Sequence, residues 1–278
     1  MDEQDLVFPE RAYELLSLAA QGRDLTVRDD QHDFSWLLYI FKASRKRRQR
    51  FRLIDSGKFD AFKLEQLGNE GVDLYTSNEA RPKPEELELI NRSCKRGRAI
   101  VAYSHQGSIN REEKKGSNTE KFTLTALRDM GKNGIYFYLS NRKWKHDFSL
   151  LSELAYFCQK GGSWLVYYHY GPLETSLEDL ARNGAWIHIS DQSVREPKGT
   201  ELLMKILESR SSKRTNLILH LEEEWKASQL RDIINAEAIV LFQSSLTDYK
   251  SPLRPLERES RKRKVDFRSY YLYPYLMI

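Results

Sequence analysis

Three histidines end or follow short apolar stretches that are typical of buried β-strands. His105 follows "AIVAYS", His169 ends "WLVYYH", and His220 lies in "LILHLEE". Imidazole nitrogens are common ligands of catalytic zinc, and two or three of them with a carboxylate leave one position open for a water. The sequence therefore predicts that these histidines bind a divalent metal such as zinc, which activates a water for hydrolysis.

The carboxylates that would complete such a site also lie at strand ends. Asp55 follows "FRLI", Asp191 follows "WIHIS", and Glu222 lies two residues beyond His220. We predict Asp55 and Asp191 as metal ligands or acid–base groups. In a version without metal, one histidine acts as general base and Asp191 or Glu222 orients it or acts as the acid, because imidazole titrates near neutral pH.

The same residues also have a purely structural interpretation. No local pair such as H-x-H or H-E-x-x-H fixes the histidines at metal-ligand spacing. The acidic run after His220 can instead cap the following helix. His188 lies two residues before its strand ends, where a hydrogen-bonded core histidine is expected rather than a ligand. Both interpretations stay open, and the metal hypothesis requires that the histidine side chains converge.

Short polar turns after two strands offer backbone N–H groups to an anion. "DSGKF" and "SHQGS" each contain a glycine, and Lys58 adds a positive charge to the first. Neither turn matches G-x-x-x-x-G-K-[ST] or G-x-G-x-x-G, so the usual nucleotide sites are not indicated. We predict that an anionic or phosphorylated small molecule binds to four residues, Lys58, Ser104, Asn141 and Ser190.

Eight short apolar stretches supply the strands that would position these residues. They begin at residues 51, 72, 99, 135, 164, 186, 217 and 238 and are rich in β-branched and aromatic side chains. Nearly continuous apolar runs of about four to seven residues are typical of parallel strands that are buried on both faces. Segments with helical spacing lie between them, so the chain alternates strand and helix.

Helix boundaries in this pattern are marked by specific residues. Pro84 and two glutamates open "PEELELINRSCKRG", with Gly97 as the predicted stop, and Asp147 caps a helix that stops at Gly161. A glycine also stands one or two residues before five of the strands, as Gly184 does in "RNGAWIH". Helices often end at a residue with positive φ, a conformation that glycine adopts with little strain. The repeated glycine therefore supports the alternation of helices and strands.

The alternation predicts a (β/α)8 TIM-barrel-like fold. "DLTVRDD" at 24–30 is a possible ninth strand, and for that reason an open, doubly wound parallel sheet remains the alternative. We predict an N-terminal helix in residues 1–23, one barrel-like domain in 24–247, and a basic, aromatic tail in 248–278. The charged stretch 111–121 is expected to be a long loop, either a lid or a tolerated insertion.

Composition restricts the class of protein. The chain has 278 residues, a net charge of +5 and 40% hydrophobic residues, as expected for a folded protein that tolerates anionic partners. Only Cys94 and Cys158 occur, which favours a reduced cytoplasmic protein without a disulfide framework. The N-terminus lacks the pattern of a signal peptide, and no apolar run is long enough for a membrane span.

Three functions from different classes follow from these observations. The leading prediction is a cytoplasmic barrel-type enzyme, a metal-assisted hydrolase that acts on an anionic or phosphorylated substrate. The alternative is a non-catalytic barrel that binds a protein partner through its basic helix end at 44–52 and its aromatic tail. Nucleic-acid binding is the weakest of the three, because no recognised motif accompanies the basic clusters at 44–52 and 258–264.

Overall fold

The computed structural model describes most of the chain, in two compact units. The described residues are 11–44, 49–109, 122–195, 198–210, 217–221, 227–242 and 267–269. The first unit contains the described residues up to Tyr138 together with Lys160–Ser163. The second contains Leu139–Gln159 and the described residues from Trp164 to the last strand. The predicted lid, the basic tail cluster, Glu222 and residues 45–48 of the first basic cluster lie outside the described residues.

The first unit alternates helices and parallel strands. Its strands β1 to β5 pair with their neighbours in chain order. Residues 139–140 of β5 belong to the second unit. The elements are α1 (Ala12–Ala20), β1 (Leu25–Arg28), α2 (Phe34–Ser44), β2 (Phe51–Ile54), α3 (Ala61–Asn69), β3 (Val72–Ser77), α4 (Pro84–Gly97), β4 (Val101–Ser104), α5 (Leu124–Lys132) and β5 (Tyr136–Ser140).

The second unit continues the same alternation. Its strands β6 to β10 are also parallel and pair in chain order. Residues 160–161 of its first helix belong to the first unit. The elements are α6 (Phe148–Gly161), β6 (Leu165–His169), α7 (Ser176–Arg182), β7 (Trp186–Ser190), α8 (Asp191–Arg195), α9 (Gly199–Glu208), β8 (Leu217–Leu221), α10 (Ala227–Asn235), β9 (Ile239–Phe242) and β10 (Phe267–Ser269).

Strand order confirms the predicted α/β fold class. In (β/α)8 proteins each strand pairs with the strands that precede and follow it in the chain, whereas a doubly wound sheet reverses its strand order at a switch point. All eight predicted strands form, and "DLTVRDD" provides β1 ahead of them. Within the predicted tail, Phe267–Ser269 forms β10, which pairs with β9. No helix in the described part of the chain is long and apolar enough to cross a membrane.

Each unit buries one face of its strands against helices. In the first unit, Phe41 of α2 packs on Phe51 of β2, with ring centroids 4.7 Å apart. In the second, Phe148 of α6 packs on Tyr167 of β6 at 5.8 Å. Because successive side chains of a strand point to opposite faces, these contacts identify the helix-covered face of each strand. The opposite face carries half-buried polar and aromatic residues. Which of the two faces a candidate site residue occupies determines the groups it can contact.

Two glycines predicted as helix stops instead permit helices to approach closely. Gly97 and Gly161 are the last residues of α4 and α6. A Cβ on Gly97 would lie 1.9 Å from the Gly68 carbonyl oxygen of α3, and one on Gly161 would lie 2.1 Å from that of Gly131 in α5. The position of positive φ falls one residue later, on Arg98 after α4. Close backbone contact is therefore the reason for glycine at these two positions.

We expect Gly97→Ala to lower the free energy of unfolding by about 1–3 kcal/mol, because the added methyl forces α3 and α4 apart. Lys95→Ala is the matched control, since Lys95 lies on the same helix and is exposed. Its effect should stay within about 0.5 kcal/mol. Urea denaturation of both variants measures the difference. Equal stability of the two variants would contradict the close-packing role.

Candidate functional site

Asp55 lies on the helix-covered face of β2 and holds a buried ion pair. Its two carboxylate oxygens accept hydrogen bonds from Arg81 Nε at 2.8 Å and Nη2 at 2.7 Å, from Thr76 Oγ1 at 2.7 Å and from Gly57 N at 3.0 Å. Arg81 also donates to the carbonyl of Phe59. The predicted metal-ligand or acid–base role of Asp55 is not supported by this geometry, because both oxygens are already occupied by structural donors.

Asp29 occupies the turn that was predicted to bind an anion. The fully buried carboxylate of Asp29 accepts hydrogen bonds from the backbone N–H groups of Ser56 at 2.8 Å, Lys58 at 3.0 Å and Phe59 at 3.2 Å. The Lys58 ammonium donates to the carbonyl oxygen of Asp30 at 3.3 Å. The turn is thus an anion-binding arrangement filled by the protein's own carboxylate. We conclude that "DSGKF" does not offer these groups to a phosphate.

Asparagine side chains join neighbouring loops at two strand ends. Asn78 donates to the Gln106 carbonyl at 2.8 Å and accepts from the Gln106 N–H at 2.6 Å. Asn141 repeats both bonds with Tyr170, at 2.8 and 2.7 Å. Each asparagine is the first residue after its strand, as Asp29 is after β1. The predicted substrate-binding residue Asn141 therefore ties the loops that follow β5 and β6.

His105 and His169 lie in matching local structures. Each lies two residues after a tyrosine, Tyr103 or Tyr167, and in both cases the two ring centroids are 6.2 Å apart. Tyr103 Oη lies 3.0 Å from His105 Nδ1. His169 Nε2 donates to the Pro172 carbonyl at 2.8 Å, while its Nδ1 lies 3.5 Å from Asn141 Nδ2. Both buried rings are hydrogen-bonded within the fold, as the structural interpretation of the sequence anticipated.

The register of the second unit separates His169 from His220. His169 is level with Ile189 and Leu219 on the helix-covered face, whereas His220 is level with Ser190 and faces the opposite way. Two ligands on opposite faces of a sheet cannot hold one ion at the distance of about 2 Å that zinc requires. Among the described residues there is also no group of three or more His, Cys, Asp or Glu that could hold a metal. The residues present do not fit the predicted metal site.

Ser190 ends β7, and Asp191 begins the short helix that follows. Asp191 is the first residue of α8, is fully buried, and lies 3.5 Å from Arg195 Nη2. Ser190 Oγ accepts a hydrogen bond from Gln192 N at 3.3 Å. The predicted binding residue Ser104 is buried and accepts from Gln106 Nε2 at 3.1 Å. Of these residues only Ser190 shares a strand face with His188, because it lies two positions further along β7.

A histidine pair lies on the opposite face of β7 and β8. His188 Nδ1 is 2.7 Å from His220 Nε2, and the two rings are stacked with centroids 5.0 Å apart. The Tyr168 ring lies 4.3 Å from that of His188. All three side chains are half-buried. His188 is hydrogen-bonded as predicted, but its partner is the residue that was predicted as a metal ligand.

Burial keeps this pair neutral at pH 7. Desolvation, and to a lesser extent the neighbouring His220 ring, lowers the pKa of His188 well below its usual value. Desolvation also lowers the pKa of His220 to about 4. One proton therefore occupies the short contact between the rings. No group among the described residues hydrogen bonds to His188 Nε2, so this nitrogen can meet a ligand.

On β6 to β8, the described residues of this strand face carry no charged side chain. Trp164 lies directly before β6 and Trp186 is the first residue of β7, with ring centroids 5.2 Å apart. Val166 is level with Trp186 in the register. The described neighbours of the imidazoles on β6 to β8 are thus apolar or neutral polar groups. In this environment a proton transfer is sheltered from water, and a neutral substrate pays little desolvation penalty.

Comparison with known proteins does not name a family. No family model and no curated protein matches this sequence. A crystal structure of a variant of the citrate synthase SbnG is similar over 90% of this chain and 99% of that chain, with 11% identity and a TM-score of 0.31. Similarity at this level indicates neither a family nor an activity.

Proposed function

We propose that this protein is a metal-independent acid–base enzyme of the (β/α)8 class, with His188 as the acid–base group. The His188–His220 contact of 2.7 Å is the observation that carries the proposal. Two hydrogen-bonded imidazoles near the carboxyl ends of neighbouring parallel strands occupy the end of the fold where barrel enzymes hold their sites. The pair is half-buried, so it combines shelter from bulk water with access for a small molecule.

The proton has a direct route through the pair. When Nδ1 of His188 carries the shared proton and donates it to Nε2 of His220, Nε2 of His188 has a free lone pair. That nitrogen removes a proton from the substrate and becomes part of an imidazolium. The shared proton can then move toward His220, so that the positive charge is divided between the two rings. Return of the proton from His188 to a different substrate atom completes the transfer.

The substrate that fits this face is small and uncharged where it reacts. Tyr168 stacks beside His188 and offers an aromatic surface. Ser190, which the sequence already predicted as a binding residue, lies on the same face and supplies a hydroxyl. Cys94 and Cys158 are buried and form no disulfide, which agrees with the cytoplasmic location that we propose along with this activity.

Incubation of the purified protein with a cellular small-molecule extract in deuterium oxide tests this function. EDTA is present in one arm, and p-nitrophenyl phosphate with added zinc forms another. In the arm with EDTA, we expect the wild-type protein to introduce deuterium into at least one compound of the extract or to change the amount of that compound. His188→Gln should lower that rate by about 100-fold or more, because a general base contributes about 10²–10⁴-fold. His32→Gln, a buried histidine of the first unit, is the control.

Two results would overturn the proposal. Phosphate-ester hydrolysis that needs zinc and survives His188→Gln would return the function to a metal-assisted hydrolase. If extracts show no change while circular dichroism confirms the fold, the chain is a binding module. The structural use of Asp55, Asn78 and Asn141 at the strand ends is the observation that favours this second candidate.

A further inference from the structure

A basic and aromatic surface lies beside the carboxyl ends of β5 and β6. It consists of residues 142–145, "RKWK", and Tyr170, which we call the basic–aromatic surface. Trp144 is 44% exposed and Tyr170 is 41% exposed, and the three basic side chains around Trp144 are exposed as well. Large aromatic side chains that stay in water among cations are typical of surfaces that bind a partner.

The fold holds the two parts of this surface together. The two hydrogen bonds between Asn141 and the backbone of Tyr170 tie the loop after β5 to the loop after β6. The Arg142 guanidinium lies 5.8 Å from the centre of the Tyr170 ring. The cation and the aromatic ring therefore form one built surface rather than two independent loops.

In the part of the chain that the structure describes, no carboxylate neutralises the positive charge of the surface. Within the described part of the chain, Arg142, Lys143 and Lys145 form no ion pair with a carboxylate. The next acidic residue in the sequence, Asp147, accepts a hydrogen bond from Ser149 N at 2.8 Å at the start of α6. Three cations within four residues thus remain available for an anionic ligand.

We propose that the basic–aromatic surface binds single-stranded nucleic acid. Unpaired nucleotides supply phosphates for the three cations and flat base faces for the exposed Trp144 ring. A duplex hides its base faces, so it would use the charges but not this ring. A free phosphate would use only the charges. The surface requires neither His188 nor His220, and its function is independent of the acid–base proposal.

Fluorescence anisotropy with a labelled twelve-nucleotide oligouridylate tests this inference. We expect Trp144→Ala to weaken binding by about 5- to 150-fold, since stacking contributes about 1–3 kcal/mol per base. The triple variant Arg142→Ala/Lys143→Ala/Lys145→Ala should reduce the slope of log K against log salt by about 2, at about 0.7 per phosphate contact. The control removes the same charge from exposed sites of the first unit, as Lys83→Ala/Arg92→Ala/Lys132→Ala, and should change affinity by less than about threefold.

Binding of other anionic ligands distinguishes single-stranded nucleic acid from other classes of partner. Equal affinity for a duplex of the same length, for heparin, or for phosphatidylcholine vesicles with one quarter phosphatidylserine would overturn the proposal in favour of general anion binding. An unchanged affinity of Trp144→Ala would do the same, because stacking is the feature that selects unpaired bases. His188→Gln should bind the oligonucleotide like the wild type, so failure of the acid–base proposal does not affect this test.

Discussion

Replacement of Arg81 by methionine should destabilise the protein by about 3–5 kcal/mol, because the Asp55 carboxylate then remains buried without its cation. The side chain of Asp55 is fully buried and that of Arg81 is 7% exposed, so water cannot replace the lost partner. Arg81→Met also removes a donor from the Phe59 carbonyl. Urea denaturation measures the change in the free energy of unfolding.

Two further variants separate charge from geometry at this ion pair. Arg81→Lys keeps the positive charge but loses the bidentate contact with Asp55. We therefore expect its free energy of unfolding to lie between those of the wild type and Arg81→Met. The double variant Asp55→Leu/Arg81→Met should lose less than the sum of the single variants, because neither charge is left buried alone. A loss below about 1 kcal/mol for Arg81→Met would show that the pair does not organise the 55–59 turn.

Acidification should destabilise the protein through the histidine pair, by about 3 kcal/mol from His220 alone between pH 6.5 and pH 4. Unfolded histidine has a pKa near 6.5, whereas burial lowers the pKa of His220 to about 4 in the folded state. The unfolded chain therefore binds more protons within this interval. The stabilisation is fully present above about pH 6.5 and is lost as the pH falls toward 4.

His220→Gln isolates this effect from that of the carboxylates. The variant should be less stable than the wild type at pH 7, where the contact with His188 is lost or weakened. Its stability should fall less steeply on acidification, so that the two curves approach each other near pH 4. Urea denaturation at several pH values measures both curves. Parallel curves would mean that the pair does not titrate with a lowered pKa.

Local features of the sequence predicted the elements well. Apolar runs identified the strands, and Pro84 and Asp147 identified the starts of α4 and α6, because the signals for strands and helix starts lie within a few residues. The predicted ends of these helices differ by one residue from the observed ends at Gly97 and Gly161. Glycine is needed there because the backbone of another helix lies in close contact, and no local pattern reveals that contact.

The site was harder to predict because it depends on register and on strand face. A strand end can be located from the sequence, but a side chain one position further along points to the opposite face. His169 and His220 both lie near strand ends, yet the register places them on opposite faces. His188 and His220 are separated by 32 residues in sequence and meet only through the pairing of β7 with β8. Asp29 was likewise missed, although an acidic residue directly after an apolar strand is a visible signal for such a contact.

The sequence by itself determined the alternation of strands and helices and the polar character of the strand ends, but it left the order of the strands in the sheet open. These properties follow from hydrophobic periodicity and helix-end chemistry, which act over a few residues. Only the tertiary structure decided which polar side chains serve the fold, as Asp55 and Asn141 do, and which meet on the opposite strand face, as His188 and His220 do. The physical reason is that hydrogen bonds between distant residues depend on strand register, and packing of the whole sheet sets that register.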